Sequence, residues 1–376
     1  MAAIHGVLKD AIQLPPSPNG GEKYCGCVIE PDILKLSPPL VIIGVAAGQR
    51  EMVVDFQKRK VRKSQMSQKS VVLGLESLKQ FRVVEETPGY WRATFQNPPV
   101  NLYDPQTFLE LRKLWAKIEE TTDVKVLVFD SADPDYFISH YDLVRATEVP
   151  EKPSDDHVYG WARLFTRFNN SPVVTIASIR GATRGIGSEF ALACDMRFAS
   201  KEKARFAQVE VGFGCVPGGG GIDWLSANAG RARAIEIVCG ADDFDATTAA
   251  AYGWINRAIP DADLDAFVDN LARRIATFDR QALELAKRNI NSRVTMPSES
   301  ERWSSMQSFL YTTTWPATQA RFAKSLDLGL QQPTDFELNL GTTVVNLRPE
   351  LTGAKPPHHA ASAGITAYDV GHRQKV

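Results

Sequence analysis

Apolar positions along the chain fall into stretches with two different periods. Tyr90–Phe95 and Val124–Phe129 read as strands, and Val173–Ile179 is an almost continuous apolar run, as expected for a strand buried on both faces. Between the first two, Phe108, Leu111, Leu114, Trp115 and Ile118 recur at helical spacing. They follow Asp104-Pro105, an N-cap and a proline for the first turn, so the spacing predicts an amphipathic helix over 105–120. A short apolar helix is predicted at Ser188–Cys194. After Ile259-Pro260 the strand pattern stops, and Leu264–Thr277, Arg280–Ser292 and Glu299–Ala323 all read as helices. Alternation first and helices afterwards predict an α/β core followed by a helical subdomain.

The ends differ from this middle. Residues 1–78 hold Pro15, Pro16, Pro18, Pro31, Pro38 and Pro39, have only Tyr24 and Phe56 as aromatics, and carry the run Lys58-Arg59-Lys60-Val61-Arg62-Lys63. Such a stretch has little to bury, so a largely disordered Pro-rich and basic extension is expected, with one strand at Leu40–Ala46 and the basic run as a solvated linker. The expected division is an extension over 1–78, an α/β core over 79–262, a helical subdomain over 263–340 and a flexible tail over 341–376.

Charge and composition narrow the function. The 43 Lys and Arg against 44 Asp and Glu leave a net charge of −1, which gives no electrostatic case for nucleic acid or an anionic membrane. Arg112, Lys113 and Lys117 on the first helix are a thin basis for binding RNA. The longest apolar run, Leu40 to Gly48, falls far short of the roughly 20 residues a membrane helix needs. Five cysteines, unevenly placed, make no disulfide framework and point to a reducing compartment. A cytoplasmic location is expected, with a peroxisomal or mitochondrial one left open. Neither Cys25-Gly26-Cys27 nor His358-His359 has further ligands nearby, so no metal is expected.

The chemistry is expected around a strand, a Gly-rich turn and a helix: Ile179-Arg180-Gly181-Ala182-Thr183-Arg184-Gly185-Ile186-Gly187-Ser188-Glu189. Glycines admit close backbone approach, and a helix N-terminus offers N–H groups to an anion. The spacing is neither the dinucleotide fingerprint nor a P-loop, so an oxyanion site and a structural turn are both open. Glu189 sits among Phe190, Ala191, Leu192 and Ala193, and Glu210 lies in a second apolar stretch before Pro217-Gly218-Gly219-Gly220-Gly221. Buried carboxyls have raised pKa values, which makes the two glutamates candidates for paired acid–base work.

Residues 81–340 resemble the crotonase superfamily, the enoyl-CoA hydratase/isomerase family. The resemblance is carried by Asn97-Pro98-Pro99-Val100-Asn101, Tyr136–Leu143, Gly187–Asp195, Arg205–Glu210, Pro217–Gly221 and Ala250–Ile255, in that order. It implies a spiral of ββα units with a C-terminal helical subdomain that trimerises the chain, as a homotrimer or hexamer. It implies an acyl-CoA thioester substrate, with coenzyme A as part of that substrate and no other cofactor. The thioester oxygen would sit between the backbone N–H groups of Tyr141 and Ile186, in an oxyanion hole. Phe137, Ser139, His140, Asp142, Gly185, Gly187, Pro217 and Gly218 would form the surrounding substrate site. The two hydratase carboxylates correspond to Glu189 and Glu210. By resemblance they would hold a water, Glu189 activating it for attack at C3 and Glu210 delivering the proton to C2.

Three positions depart from the family pattern. The first donor loop, commonly Ala-Gly-Ala-Asp-Leu, is Ser139-His140-Tyr141-Asp142-Leu143, and the glycine common at the second donor is Ile186. A lysine common just before the first loop is replaced by the acidic Asp133-Pro134-Asp135. These bulky residues are expected to reshape the acyl pocket for a specialised substrate, with His140 a packed or solvent-facing loop histidine rather than one titrating beside the thioester. The expected activity is an enoyl-CoA hydratase-type lyase. The alternatives are a double-bond isomerase, an acyl-CoA hydrolase, or a non-catalytic binding protein of the same fold.

Overall fold

The computed structural model describes residues 71–145, 148, 160–294 and 296–348, all within one compact unit. Its strands are β1 (Phe81–Thr87), β2 (Tyr90–Phe95), β3 (Val126–Ser131), β4 (Tyr136–Ile138) and β5 (Val174–Ile179), then β6 (Ala182–Arg184), β7 (Met196–Ser200), β8 (Arg205–Ala207), β9 (Phe244–Asp245) and β10 (Arg257–Ile259). Its helices are α1 (Pro105–Glu120), α2 (Gly160–Asn170), α3 (Ile186–Ala193), α4 (Glu210–Phe213), α5 (Gly221–Asn228), α6 (Arg231–Gly240) and α7 (Ala246–Tyr252). They continue with α8 (Asp261–Ala276), α9 (Arg280–Asn291), α10 (Glu299–Thr313), α11 (Pro316–Asp327), α12 (Asp335–Leu338) and α13 (Leu340–Thr343).

The strands sort into two sheets, a large one in the order β1-β2-β3-β5-β7-β10 and a small one in the order β4-β6-β8-β9. From β3 onward, successive strands enter the sheets in turn: β3 then β4, β5 then β6, β7 then β8. Pairing is parallel within each series, and α2 and α3 close the first two turns. This is the expected spiral of ββα units.

Local chemistry explains the elements. Asp104 caps α1 in a reciprocal box with Thr107, Pro105 occupies the first turn, and Phe108, Leu111, Leu114, Trp115 and Ile118 are all buried. The main core gathers those residues with Phe129, Phe165, Phe168 and Phe190, with Trp115 stacked on Phe168 at 4.3 Å. On the other side of the large sheet, Leu264, Val268, Ala272 and Ile275 of α8 cover Tyr90, Val126, Val128, Ile176 and Phe198. No helix among the described residues is long and apolar enough to cross a membrane, and Cys194, Cys215 and Cys239 are free thiols.

Several expected boundaries move. The compact part begins before residue 79, because Val71 bridges Val84 of β1 and Leu75 is buried in the main core. Helix 299–323 is two helices, since Pro316 has no N–H to continue α10 and instead opens α11. Within the helical region 263–340, α8 forms one layer of the core and α10 and α11 wall the cavity described below. Residues 341–347 are not tail: Val344 and Leu347 are buried with Phe213 and Leu340, and Arg321 Nε donates to the Leu347 carbonyl at 3.0 Å. The expected strand at Leu40–Ala46, the basic run 58–63, Cys25, Cys27, His358 and His359 lie outside the described residues.

One largely buried ion pair ties the late helices to the spiral. Lys287 Nζ of α9 donates to Asp195 Oδ2 at 2.7 Å and to the carbonyls of Phe168 and Val173, while Asp195 also accepts from Thr175 N. Lys287→Met would leave that carboxylate buried without its cation, and urea unfolding should show a loss of about 3–5 kcal/mol. A loss below about 1 kcal/mol, the range of exposed pairs, would refute a structural role for it.

Candidate active site

The site is built where α3 begins. Gly187 lies so close to β4 that a side-chain carbon there would stand 2.1 Å from the Ile138 carbonyl oxygen. That contact sets the N-terminus of α3 beside the loop Ser139–Leu143. Within this loop, Tyr103 N donates to the His140 carbonyl and Asp142 N donates to the Tyr103 carbonyl. Those bonds use the backbone on either side of Tyr141 and not the Tyr141 N–H. Ile186 is the first residue of α3, so its N–H has no carbonyl one turn back within the helix.

Glu189 falls in the first turn of α3 and is buried. Its Oε1 accepts from Gly219 N at 2.8 Å and Gly221 N at 2.9 Å. A side-chain carbon at Gly219 would stand 2.3 Å from Glu189 Oε2, so the glycine run is needed for the loop to close on the carboxyl. Glu210 opens α4, where Gln208 Nε2 stands 3.3 and 3.4 Å from its two oxygens. Its Oε1 reaches the backbone at Gly185, where an added carbon would stand 2.9 Å away.

Burial pushes both carboxyls above the usual carboxylate range. For Glu189 the two glycine N–H groups oppose the rise, and Asp223 adds to it. For Glu210 the second cause is the charge of Glu189 itself. The two groups therefore sense one another, and ionising one keeps the proton on the other. The backbone donors favour the ionised form on Glu189, which leaves the proton on Glu210.

Both glutamates open into a cavity of about 500 Å³. His140, Tyr141, Gly185, Ile186 and Gly218 line the same end, and Phe108, Phe213, Phe309, Phe322, Leu326 and Leu330 make an apolar wall. Cys215 also lines it, but burial pushes its thiol far up, so it is no thiolate nucleophile at neutral pH.

Phe137, Ser139, Asp142, Gly187 and Pro217, expected around the substrate, do not line this cavity. Phe137 belongs to the main core beside Phe190. Ser139 and Pro217 are buried, and Gly187 faces Ile138. Asp142 Oδ1 accepts from Val144 N and Gln331 Nε2 and so shapes the loop.

His140 is a packed histidine, as expected, but not an idle one. Its Nδ1 meets the Tyr141 carbonyl at 2.9 Å and its Nε2 meets Glu337 Oε2 at 3.0 Å. Because a carbonyl only accepts, Nδ1 carries a proton, and Nε2 can bond the carboxylate only by carrying one too. Burial works against the imidazolium, but the Glu337 charge and hydrogen bond outweigh it and raise the His140 pKa. His140 in turn holds Glu337 below the usual range against its burial.

Sequence reasoning missed the wall from α10 and α11 and the residues Gln208, Gln331 and Glu337. Gln319, Phe322, Ala323 and Leu326 do recur at helical spacing, yet that pattern marks an inward face without saying whether it meets core or ligand.

Residues 86–327 match the enoyl-CoA hydratase/isomerase family, and the chain belongs to it as an enzyme of the crotonase superfamily. A short-chain-enoyl-CoA hydratase of Clostridium acetobutylicum is 28% identical over 192 residues, 51% of this chain and 73% of its own length. A carnitinyl-CoA dehydratase of Escherichia coli is 28% identical over 207 residues, 55% of this chain and 78% of its own. A Streptomyces avermitilis crystal structure, provisionally described as an enoyl-CoA hydratase, is 39% identical with a TM-score of 0.68, covering 72% of this chain and 98% of that one.

The glycine contact at Glu189 is directly testable. Gly219→Ala should displace the Glu189 carboxyl and lower kcat by about 10-fold or more, with the thermal midpoint nearly unchanged. Unchanged kcat would mean that the carboxyl does not need this placement.

Proposed function

We propose that the enzyme adds water across the double bond of a 2-enoyl-CoA thioester, or removes it from the 3-hydroxyacyl form. The observation that carries the reading is the pair Glu189 and Glu210, electrostatically coupled in one cavity beside the Tyr141 and Ile186 backbone. Water held between them loses a proton to Glu189 as its oxygen bonds to C3. The electron pair of the double bond moves onto the thioester oxygen, where the N–H groups of Tyr141 and Ile186 stabilise the enolate. Glu210 then gives its proton to C2, and the proton on Glu189 passes back through solvent exchange. The roles follow from the surroundings: two backbone donors favour charge on Glu189, while Glu210 has the weaker partners and keeps the proton.

The wall suggests which acyl groups fit. Six apolar side chains, four of them phenylalanines, offer no charged partner to the far end of the acyl chain. An extended or aromatic enoyl group gains more from such a surface than a butenoyl group does. Assembly as a homotrimer or hexamer is part of the same proposal. It is supported by α9, none of whose residues is fully buried within the chain and which leaves Leu285 and Ile290 exposed. Light scattering should give three or six times the chain mass, and a monomer would refute it.

Hydration is read from the loss of the conjugated thioester absorbance with crotonyl-CoA and with longer and aromatic enoyl-CoAs. The larger substrates should show the higher kcat/KM. Glu189→Gln and Glu210→Gln should each lower kcat by about 10²–10⁴. Activity should fall as pH rises past about 8, the value to which the Glu210 pKa is raised, because Glu210 then loses the proton it must deliver. Thioesters that bind without any loss of absorbance would overturn the hydratase reading in favour of an isomerase, hydrolase or binding protein.

A further inference from the structure

The loop that carries Tyr141 and the turn that carries Ile186 come from distant parts of the sequence, yet both are held by one segment near the end of the described chain. Glu337 Oε2 bonds His140 Nε2 and also accepts from Gln331 N at 2.8 Å. Gln331 in turn reaches the same loop twice, with Nε2 on Asp142 Oδ1 at 2.7 Å and Oε1 accepting from Leu143 N at 2.8 Å. On the other side, Arg184 precedes Gly185 and Ile186. Its Nη1 donates to the Glu337 carbonyl at 3.0 Å and its Nη2 to the Leu338 carbonyl at 2.8 Å. Asp243 takes the remaining charge of Arg184 through two bonds of 2.7 Å. Arg184, Glu337 and Ser139 have essentially no exposed surface, and His140 and Gln331 have little.

We propose that residues 331–338 act as a clamp that fixes the two backbone donors of the oxyanion hole relative to one another, with His140, Glu337, Gln331 and Arg184 as its positioning residues. The proposal rests on the oxyanion-hole reading above and goes beyond it, since the clamp lies outside the family match at 86–327. The physical case is one of precision. Two donors stabilise a developing oxyanion only when both sit within hydrogen-bond reach of a single point, so a small drift of either loses most of the effect. Neither element fixes the other by itself: α3 is a short helix and residues 139–143 are a loop. The histidine after Ser139 makes sense on this view. Its imidazolium is tied on one nitrogen to the carbonyl of Tyr141, the donor residue, and on the other to the clamp.

The test uses the full-length enzyme with Glu337→Gln and, as a milder variant that unpairs no buried cation, Gln331→Leu. Two readouts separate positioning from mere folding. The first is the split of kinetic constants: kcat on enoyl-CoA should fall about 10-fold or more, while KM changes by less than about 3-fold. The second is the absorbance of acetoacetyl-CoA, a β-ketoacyl thioester whose bound enolate forms only where donors stabilise it. Wild type should show the enolate band, and both variants should show a weakened one at saturating ligand. Variants that keep their wild-type circular dichroism, kcat and enolate band would overturn the clamp. An enolate band without hydration of any enoyl-CoA would leave the clamp standing and remove only the hydratase reading. Acetoacetyl-CoA bound to wild type without an enolate band would remove the oxyanion hole and the clamp with it.

Discussion

Burying the Glu189 carboxyl beside that of Glu210 is the constraint around which the rest of the structure is arranged. Glu189 is almost wholly removed from solvent, and a bare buried charge would cost far more than the fold can supply. The chain answers with two main-chain N–H groups, those of Gly219 and Gly221, aimed at a single oxygen. Main-chain donors cannot rotate away as a side chain could, so they stabilise the anion without fixing a full counter-charge beside it. A lysine or arginine in their place would pair with Glu189 and hold its carboxyl below the usual carboxylate range. The arrangement therefore keeps a carboxyl that is neither stranded nor neutralised.

That choice propagates outward. The loop 217–221 must approach without side chains, which accounts for the run of glycines. The helix bearing Glu189 must start hard against β4, which accounts for Gly187. Once α3 is placed there, the same start supplies the Ile186 N–H, and the neighbouring loop supplies that of Tyr141. The placement of Glu189 and of the Ile186 and Tyr141 backbone thus follows from a single docking event, with the late helices closing the cavity over it. The late segment 331–338 bonds both to the Ser139–Leu143 loop and to Arg184 just before α3.

How much of this was legible in the sequence depends on whether a feature was local. Helix α1 could be bounded from Asp104-Pro105 and its apolar stripe, and β2 from its own apolar pattern. Glu189 and Glu210 stood out because carboxyls are scarce in apolar stretches, and the resemblance located Tyr141 and Ile186. The three-residue strands β4, β6 and β8 carry no period long enough to read, and they exist because of their partners in the small sheet. The same holds for Glu337, which lies 197 residues from the histidine it meets. In the sequence it is one more acidic residue in a polar turn, and only the fold gives it a counter-ion. Pro316 was visible, yet the helical pattern on both sides concealed that it separates two helices.

The apolar wall has a consequence for how such an enzyme can change. Glu189, Glu210 and the backbone of Tyr141 and Ile186 lie between residues 140 and 221, whereas Phe309, Leu310, Phe322 and Leu326 come from α10 and α11. The wall facing the glutamates is therefore drawn largely from a later stretch of the chain, with Phe108 and Phe213 added from earlier elements. Substitutions in the late helices can enlarge, shorten or re-contour the space for the acyl group while the reacting groups stay where they are. A lineage built this way can reshape its cavity by drift in the late helices while the coupled pair of carboxyls stays in place.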